Sequence, residues 1–354
     1  MGRILLFNPS HEMALATNAA QYTPPKQIQQ MEADLCRLPL LWAEEGDIVL
    51  TSTSTKTSTL HSSLFTLNSP LPAPWGWNKS VRNRFLRLGI APSLLPSEQQ
   101  LDCWRSFASR AWAAEYCDVF YRKCEVEGLV PNHVAFIRSN ADYEAWLSKY
   151  GSVPFIVKAE YSSSGRGNRV FDPHSFHSSF LSPLRGSRRG LLHASPQLID
   201  TFYDKMLDFA MEFEVTKQAV QYLGLSVFET SPEGRYAFNY LRSQQELREM
   251  VVSQVPHANV LDHLIEQHLQ LLSERLLGQY EGIVGIDMMV VRGGLIHPCV
   301  EINLRMNMGV VAMKLYERGL TSLSRSLYGG QFFYPVIEDG KFFIAYTPTP
   351  ISAQ

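Results

Sequence analysis

The sequence predicts a protein of mixed α/β and α+β class, in which a small α/β domain precedes a longer region of antiparallel strands and helices. Strand and helix patterns alternate over roughly the first hundred residues. Strand pairs joined by Gly-containing turns then recur toward the C-terminus. One such pair, Gly282 to Gly309 (GIVGIDMMVVRGGLIHPCVEINLRMNMG), interrupts its apolar strands with Asp287, Glu301, Asn303 and Arg305.

The chain has 354 residues, enough for two or three domains, and its 45% hydrophobic and 19% charged content is that of a soluble globular protein. A net charge of −2 suggests neither a nucleic-acid partner nor a membrane surface. The five cysteines (Cys36, Cys103, Cys117, Cys124, Cys299) are scattered without a CxxC motif, which fits reduced thiols in a cytoplasm and no zinc site. No apolar run approaches a membrane span, and Met1–Phe7 is too short for a signal h-region, so the expected location is cytoplasmic.

Arg3–Phe7 reads as a buried strand running into Asn8-Pro9-Ser10-His11-Glu12, where Ser10 can cap a helix containing Met13, Ala14 and Leu15. Open α/β sheets bind ligands where a strand feeds a helix, which makes His11 and Glu12 candidate substrate contacts; capping and local hydrogen bonding explain them equally. Gln27–Glu45 reads as helix, Asp47–Leu50 as strand, Thr51–Ser63 as a Ser/Thr-rich loop or edge strand, Pro70–Trp77 as a Pro/aromatic loop and Val81–Leu88 as a basic amphipathic helix. Gln99–Glu127 reads as one long helix, and Asn140 caps another over Ala141–Lys149. Strands follow at Leu191–Ile199, Phe209–Val215, Tyr222–Glu229 and Tyr236–Leu241, with Glu212 and Glu214 on one strand face. Helices at Asn259–Tyr280 and Val310–Tyr328 precede a closing strand pair, Phe332–Tyr346.

Two stretches carry chemistry. In the hairpin, Glu301, Asn303 and Arg305 alternate and so share one strand face. Two carboxylates and an amide oxygen suit a hard cation such as Mg²⁺, and a guanidinium suits phosphate oxygens. Register decides whether Asp287 joins them. A two-residue turn on Gly293-Gly294 pairs Asp287 with Val300 and separates the carboxylates, whereas a three-residue loop, or a bulge near Pro298, pairs Asp287 with Glu301. The metal reading thus predicts an irregular hairpin; a regular one leaves a solvated polar strand face. The second stretch, Pro154–Phe171, reads strand, small-residue loop, strand. Lys158 ends a buried apolar run, where a lysine needs a partner such as phosphate. Ser162, Ser163, Ser164, Gly165, Arg166 and Gly167 can present backbone N–H groups at close range, either to phosphates or in an ordinary hairpin turn. The basic segment Arg185–Arg189 is a solvated loop or an anion-grasping lid.

In order and spacing these pieces resemble the ATP-grasp superfamily, mostly ATP-dependent carboxylate–amine ligases. The resemblance covers roughly Gln99 to Tyr328 and rests on Phe155-Ile-Val-Lys158 with Ser162–Gly167, on Glu212-Phe-Glu-Val, on Gly285-Ile-Asp287 and on Glu301-Ile-Asn303-Leu-Arg305. It implies an ATP-grasp fold of two α+β subdomains (99–190 and 191–354, the latter with the metal-binding hairpin) behind a small Rossmann-like domain (1–98). It further implies that Lys158 binds the α/β-phosphates of ATP and that Ser162–Gly167 closes over the β/γ-phosphates. Asp287, Glu301 and Asn303 would hold Mg²⁺, with Mn²⁺ as an alternative, and Arg305 would face the transferred phosphoryl group. Gln197 and Ile199 fall at the adenine-contacting hinge strand, and Glu212 matches an acidic residue lining the nucleotide site. The family's other ATP-binding lysine has no direct match: Arg110 substitutes for it, or Lys123 serves from the same helix.

The implied activity is ATP- and Mg²⁺-dependent activation of a small-molecule carboxylate as acyl phosphate for attack by an amine. The acceptor is expected between the N-terminal domain and the metal hairpin, and a homodimer is compatible with the sequence. Two alternatives stay open: a kinase-like phosphotransferase that needs no amine, and a nucleotide-binding module without chemistry.

Overall fold

The computed structural model describes residues 2–51, 70–162, 168–172, 197–231, 234–323 and 330–349. The first layer is the α/β domain: β1 (Arg3–Leu6), α1 (His11–Thr17), α2 (Lys26–Asp34), β2 (Ile48–Val49), β3 (Leu71–Pro74) and α3 (Lys79–Arg87), with the three strands parallel in the order β2-β1-β3. Ser10 stands at the cap of α1 but makes no side-chain cap bond. The expected helix over Gln27–Glu45 is two pieces, because Pro39 cannot donate into a continuing helix; a short 3₁₀ turn, Leu38–Leu41, follows α2. Within Pro70–Trp77, expected to be a loop, Leu71–Pro74 is strand. It forms an edge, and the N–H groups of Leu71 and Trp75 donate to the Gly2 and Leu6 carbonyls, so Pro72 and Pro74 fall at alternate positions with no donor to lose.

Next come α4 (Glu98–Phe107), α5 (Arg110–Lys123), β4 (Ala135–Ile137), α6 (Asn140–Tyr150), β5 (Phe155–Ala159), β6 (Arg169–Phe171) and β7 (Gln197–Thr201). The four strands form an antiparallel sheet in the order β4-β7-β5-β6. The single helix expected over Gln99–Glu127 breaks at Ala108-Ser109, since the Ser109 hydroxyl accepts from the Ala111 N–H and starts α5 afresh. The cap of α6 is Ser139, one residue before the expected Asn140, because Ser139 and Asp142 close a capping box.

The remainder is β8 (Lys205–Val215), β9 (Val220–Thr230), β10 (Tyr236–Tyr240), α7 (Gln244–Val252), α8 (Val260–Leu276), β11 (Gly282–Val291), β12 (Ile296–Asn303), α9 (Met308–Glu317), β13 (Phe333–Glu338) and β14 (Lys341–Tyr346). Their strands build a seven-stranded antiparallel sheet in the order β12-β11-β8-β9-β10-β14-β13. α9 stops at Glu317, short of the expected Tyr328, because Gly319 takes a left-handed turn at φ 65°. No helix among the described residues is long and apolar enough to cross a membrane.

Strand alternation divides this sheet chemically. Phe209, Met211 and Phe213 of β8 and Val284, Ile286 and Met288 of β11 face a core shared with α5 and α8. The alternate residues, Glu212, Gly285 and Asp287, face the other way, and so do Glu301 and Asn303 of β12. The α/β domain packs on the same molecule through Leu5, Phe7 and Trp75, which join Val311, Leu315 and Phe333 in one cluster.

Within the main core His268 is fully buried, stacked between Tyr116 and Phe120, and shares a 2.9 Å hydrogen bond with the Tyr116 hydroxyl. Burial pushes its pKa down to about 3, against a weak opposing pull from the Pro298 carbonyl. The unfolded chain therefore takes up a proton near pH 6.5 that the folded chain refuses. Stability from neutral His268 is complete above that pH and is lost as pH falls toward about 3. Urea unfolding between pH 7.5 and 5 should show this loss at up to roughly 1.4 kcal/mol per pH unit, and a His268→Gln variant should show a correspondingly shallower slope.

Candidate active site

The hairpin of β11 and β12 is irregular, and the irregularity assembles the site. Val291 and Leu295 close a three-residue loop, Arg292-Gly293-Gly294, through a 2.9 Å bond. Met289 pairs with His297, yet Asp287 pairs with Glu301, so Met288 alone stands against Pro298, Cys299 and Val300. The three-residue loop by itself would place Cys299 opposite Asp287; a bulge of two extra residues brings Glu301 there instead. The expectation that either device suffices is thereby corrected: both are present, and the bulge makes the match. Asn303 lies opposite Gly285, and its Nδ2 donates to Asp287 Oδ2 at 3.1 Å.

The two carboxylates sit in different environments. Asp287 is held well above the usual carboxylate range by burial first, then by the charges of Glu301 and Glu212, with Arg305 and Asn303 opposing. Glu301 is partly exposed and bonds Arg110 Nη2 at 2.7 Å. Arg110 starts α5; its Nη1 donates to the Ala159 carbonyl at 2.5 Å and to Ser162 Oγ at 2.8 Å, and its Nε has no partner among the described residues. It joins the end of β5 to the hairpin. Lys123 is the other end of the same helix, roughly 20 Å away at 1.5 Å per residue, and pairs with Glu274 of α8. Of these two residues, Arg110 lies beside Glu301 and the end of β5, and Lys123 lies away from both.

Lys158, on β5, is buried, and its Nζ donates to the Val300 carbonyl in the bulge at 3.3 Å. Burial and then Arg110 push its pKa down, against Glu301, Asp200 and Asp287. An ammonium has three donors, so phosphate oxygens are natural further partners. Arg305 follows β12. Its Nη2 donates to Asn303 Oδ1 at 3.0 Å, and its Nε is paired with Glu12 of α1. Burial works against ionisation of Glu12, but the Arg305 charge holds it below its ordinary value. Burial pushes His11 down to about 4, with Glu12 opposing and Arg305 assisting, so its imidazole is neutral near pH 7. A small cleft opens between these pieces, lined by His11, Glu12, Ser109, Glu160, Tyr161 and Ser162 together with Arg110, Glu301, Asn303 and Arg305.

Glu212 lies on the same sheet face but not in the pocket. It is 1% exposed and accepts from Asn307 Nδ2 at 2.6 Å and Ser226 Oγ at 2.9 Å. Burial pushes it up to about 7 against those two bonds. A Cβ at Gly309 would lie 2.3 Å, and one at Gly285 2.7 Å, from its carboxylate oxygens, so only glycine fits at either place. Gln197 and Ile199 are on β7 beside β5. The Ile199 side chain is fully buried with Ile137, Phe155 and Val157, and its backbone lies inside the sheet, in register with Ala135 on one side and Val157 on the other. Ser163, Ser164, Gly165, Arg166 and Gly167 and the basic loop Arg185–Arg189 lie outside the described residues. Ser109, Glu160 and Tyr161 line the pocket but escaped the sequence reading. Glu160, two residues past Lys158, was legible as a polar strand end; Ser109 became visible only with the helix break.

Two carboxylates and an amide are a donor set that Mg²⁺ could share with ligand oxygens; among the described residues no three His, Cys, Asp or Glu side chains are grouped to hold a metal ion by themselves. Asp287, Glu301 and Glu212 share one sheet face; burial first, and then the neighbouring acids, raises Asp287, and burial raises Glu212. Asp287 and Glu301 would supply carboxylate oxygens. Asn303 could add its amide oxygen if the amide turned from Arg305 toward Asp287.

No protein-family model matches the chain, and no curated protein matches it. Similar solved structures include N5-carboxyaminoimidazole synthetase from Staphylococcus aureus complexed with ADP (11% identity, 88% of this chain and 77% of that chain, TM-score 0.48). Biotin carboxylase from Campylobacter jejuni is 13% identical over 93% of this chain and 74% of that one, with a TM-score of 0.48. L-amino acid ligase from Bacillus licheniformis is 11% identical over 93% and 74%, with a TM-score of 0.44.

Because Asp287 carries a charge its surroundings resist, removing that charge should stabilise the metal-free protein. The sign follows from the raised pKa: the group favours folding at low pH and opposes it once pH passes its unfolded value. Asp287→Asn should melt a few degrees above wild type in EDTA at pH 7.5 by calorimetry, and should lose the stabilisation Mg²⁺ gives the wild type.

Proposed function

We propose that this protein is an ATP- and Mg²⁺-dependent ligase that activates a small-molecule carboxylate as an acyl phosphate and joins it to an amine. The observation that carries this reading is the bulge that sets Glu301 opposite Asp287, close to buried Arg110 and Lys158 from two other segments of chain and to half-buried Arg305 just past the strand. A pure nucleotide binder has less use for such a constellation, and a hydrolytic triad has no counterpart in it.

In this reading Lys158 and Arg110 neutralise nucleotide phosphates. Asp287, Glu301 and Asn303 would hold Mg²⁺, which supplies charge neutralisation between phosphoryl oxygens. Arg305, fixed by Glu12 and Asn303, orients the carboxylate in the pocket and offsets charge on the oxygen that is phosphorylated. That oxygen takes the γ-phosphoryl group and ADP leaves; the amine nitrogen then attacks the acyl carbon, phosphate leaves with the carboxylate oxygen, and the amine gives up a proton. His11 lines the pocket, but burial, which holds it down to about 4, makes it a weak proton acceptor, and no general base is evident among the described residues.

Thermal unfolding with and without MgATP tests the nucleotide part. At about a hundred times its Kd a ligand adds roughly 2.7 kcal/mol, so wild type should gain a few degrees, the gain should need Mg²⁺, and it should shrink in Glu301→Ala. No shift at millimolar MgATP would remove the reading. ADP release across panels of carboxylates with and without amines then tests the chemistry: release that needs both supports a ligase, and release with the carboxylate alone supports a phosphotransferase.

A further inference from the structure

The bulge is gripped by the four-stranded sheet at two neighbouring points. At one, His297 Nε2 lies 2.8 Å from Asp200 Oδ2 of β7, and the Cys299 N–H donates to His297 Nδ1 at 3.3 Å. At the other, Lys158 of β5 reaches the Val300 carbonyl. His297 and Asp200 are 2% and 4% exposed, and Asp200 Oδ1 accepts the Thr201 N–H at 2.7 Å. One tautomer of neutral imidazole serves both contacts: Nδ1 accepts the backbone N–H, and the proton on Nε2 goes to the Asp200 carboxylate.

A bulge takes backbone groups out of the strand ladder, and a buried N–H so released needs another acceptor. Cys299 is in the middle of the bulge, and His297, two residues earlier, supplies that acceptor from its side chain. An apolar residue at 297 would fill the same space yet leave the N–H orphaned. The regular register, with Cys299 opposite Asp287, would then be favoured, and it would carry Glu301 two residues along the strand from its partner.

We propose that His297, oriented by Asp200, is the positioning residue that fixes the bulge and thereby sets the Asp287 and Glu301 carboxylates side by side and at a fixed spacing from Lys158; this rests on the metal–nucleotide reading above. His297 touches no reacting group. It acts through the backbone of Cys299, and Asp200 fixes its tautomer and ring angle. The pair also couples the two sheets, so the phosphate-facing lysine and the metal-facing carboxylates are placed by one network.

The experiment titrates Mn²⁺ by electron paramagnetic resonance onto the full chain with saturating ADP, for wild type, His297→Phe, Asp200→Leu and Asp200→Asn. ADP affinity in EDTA and melting midpoints serve as controls. His297→Phe and Asp200→Leu should weaken Mn²⁺ binding about 10–100-fold with ADP affinity in EDTA retained. Asp200→Asn should fall between wild type and Asp200→Leu, since its single amide oxygen can accept from Nε2–H only by giving up the Thr201 N–H. Unchanged Mn²⁺ affinity in His297→Phe overturns the positioning role alone. Absence of Mn²⁺ binding to wild type overturns the metal–nucleotide reading and the role with it. If the two larger variants do not fold, ¹⁵N-histidine spectra of wild type decide: the Nε2–H tautomer is expected, and an Nδ1–H tautomer overturns the proposal.

Discussion

The structure turns on two carboxylates held side by side on one strand pair, Asp287 and Glu301. Like charges at that separation repel, and burial of Asp287 raises the cost of ionising it. The surrounding chain answers with guanidinium groups from either side. Arg110 comes from the start of a helix and Arg305 from the chain just beyond the strand. Neither neutralises Asp287 directly, for Arg110 pairs with Glu301, and Arg305 pairs with Glu12 and reaches Asp287 through Asn303. The side chain left uncompensated is Asp287, and burial is the first cause of its raised pKa.

The same constraint explains the packing beneath the hairpin. Glu212 adds a third acidic group to the sheet face, and its oxygens are so closely covered that Gly285 and Gly309 admit no side chain. Asn307 caps α9 with its Oδ1 and bonds Glu212 with its Nδ2, so one amide starts the helix and satisfies the buried acid. A carboxyl enclosed like this acts on the site through its charge, not by touching a ligand. That differs from a residue lining the nucleotide cavity, even though it lies on the face the strand pattern assigns.

The α/β domain is a wall of the pocket and not an appendage. Besides the Glu12–Arg305 pair, the Met306 N–H donates to the Trp75 carbonyl at 2.8 Å, one residue past Arg305. Farther off, both Asp34 oxygens accept backbone N–H groups from Gln331, Phe332 and Phe333, pinning the last strand pair to α2. Arg110 is paired with Glu301 and Arg305 with Glu12, whereas Lys158 bonds a backbone carbonyl, so an anion that reaches either guanidinium competes with a carboxylate the protein already supplies.

What could be read from the sequence was whatever depends on periodicity. Alternation put Glu301, Asn303 and Arg305 on one strand face, of which Glu301 and Asn303 keep it while Arg305 falls past the strand end, and a lysine closing an apolar run marked Lys158 as needing a partner, which the Val300 carbonyl supplies. What could not be read depends on single hydrogen bonds. The break before Arg110 is made by the Ser109 hydroxyl, the α6 boundary by the Ser139–Asp142 box, and the strand at Leu71–Pro74 by which side of the edge its missing donors face. The bulge is the decisive case. Loop length alone leaves Cys299 opposite Asp287, and nothing in the apolar pattern of Ile296–Glu301 favours shifting by two residues. His297 makes the difference: it offers an acceptor to the N–H that the shift releases, and Asp200, from a strand nearly a hundred residues earlier, holds that acceptor in place. Hydrophobic pattern thus sets which face the carboxylates share, while a buried polar contact of long sequence separation sets whether they meet.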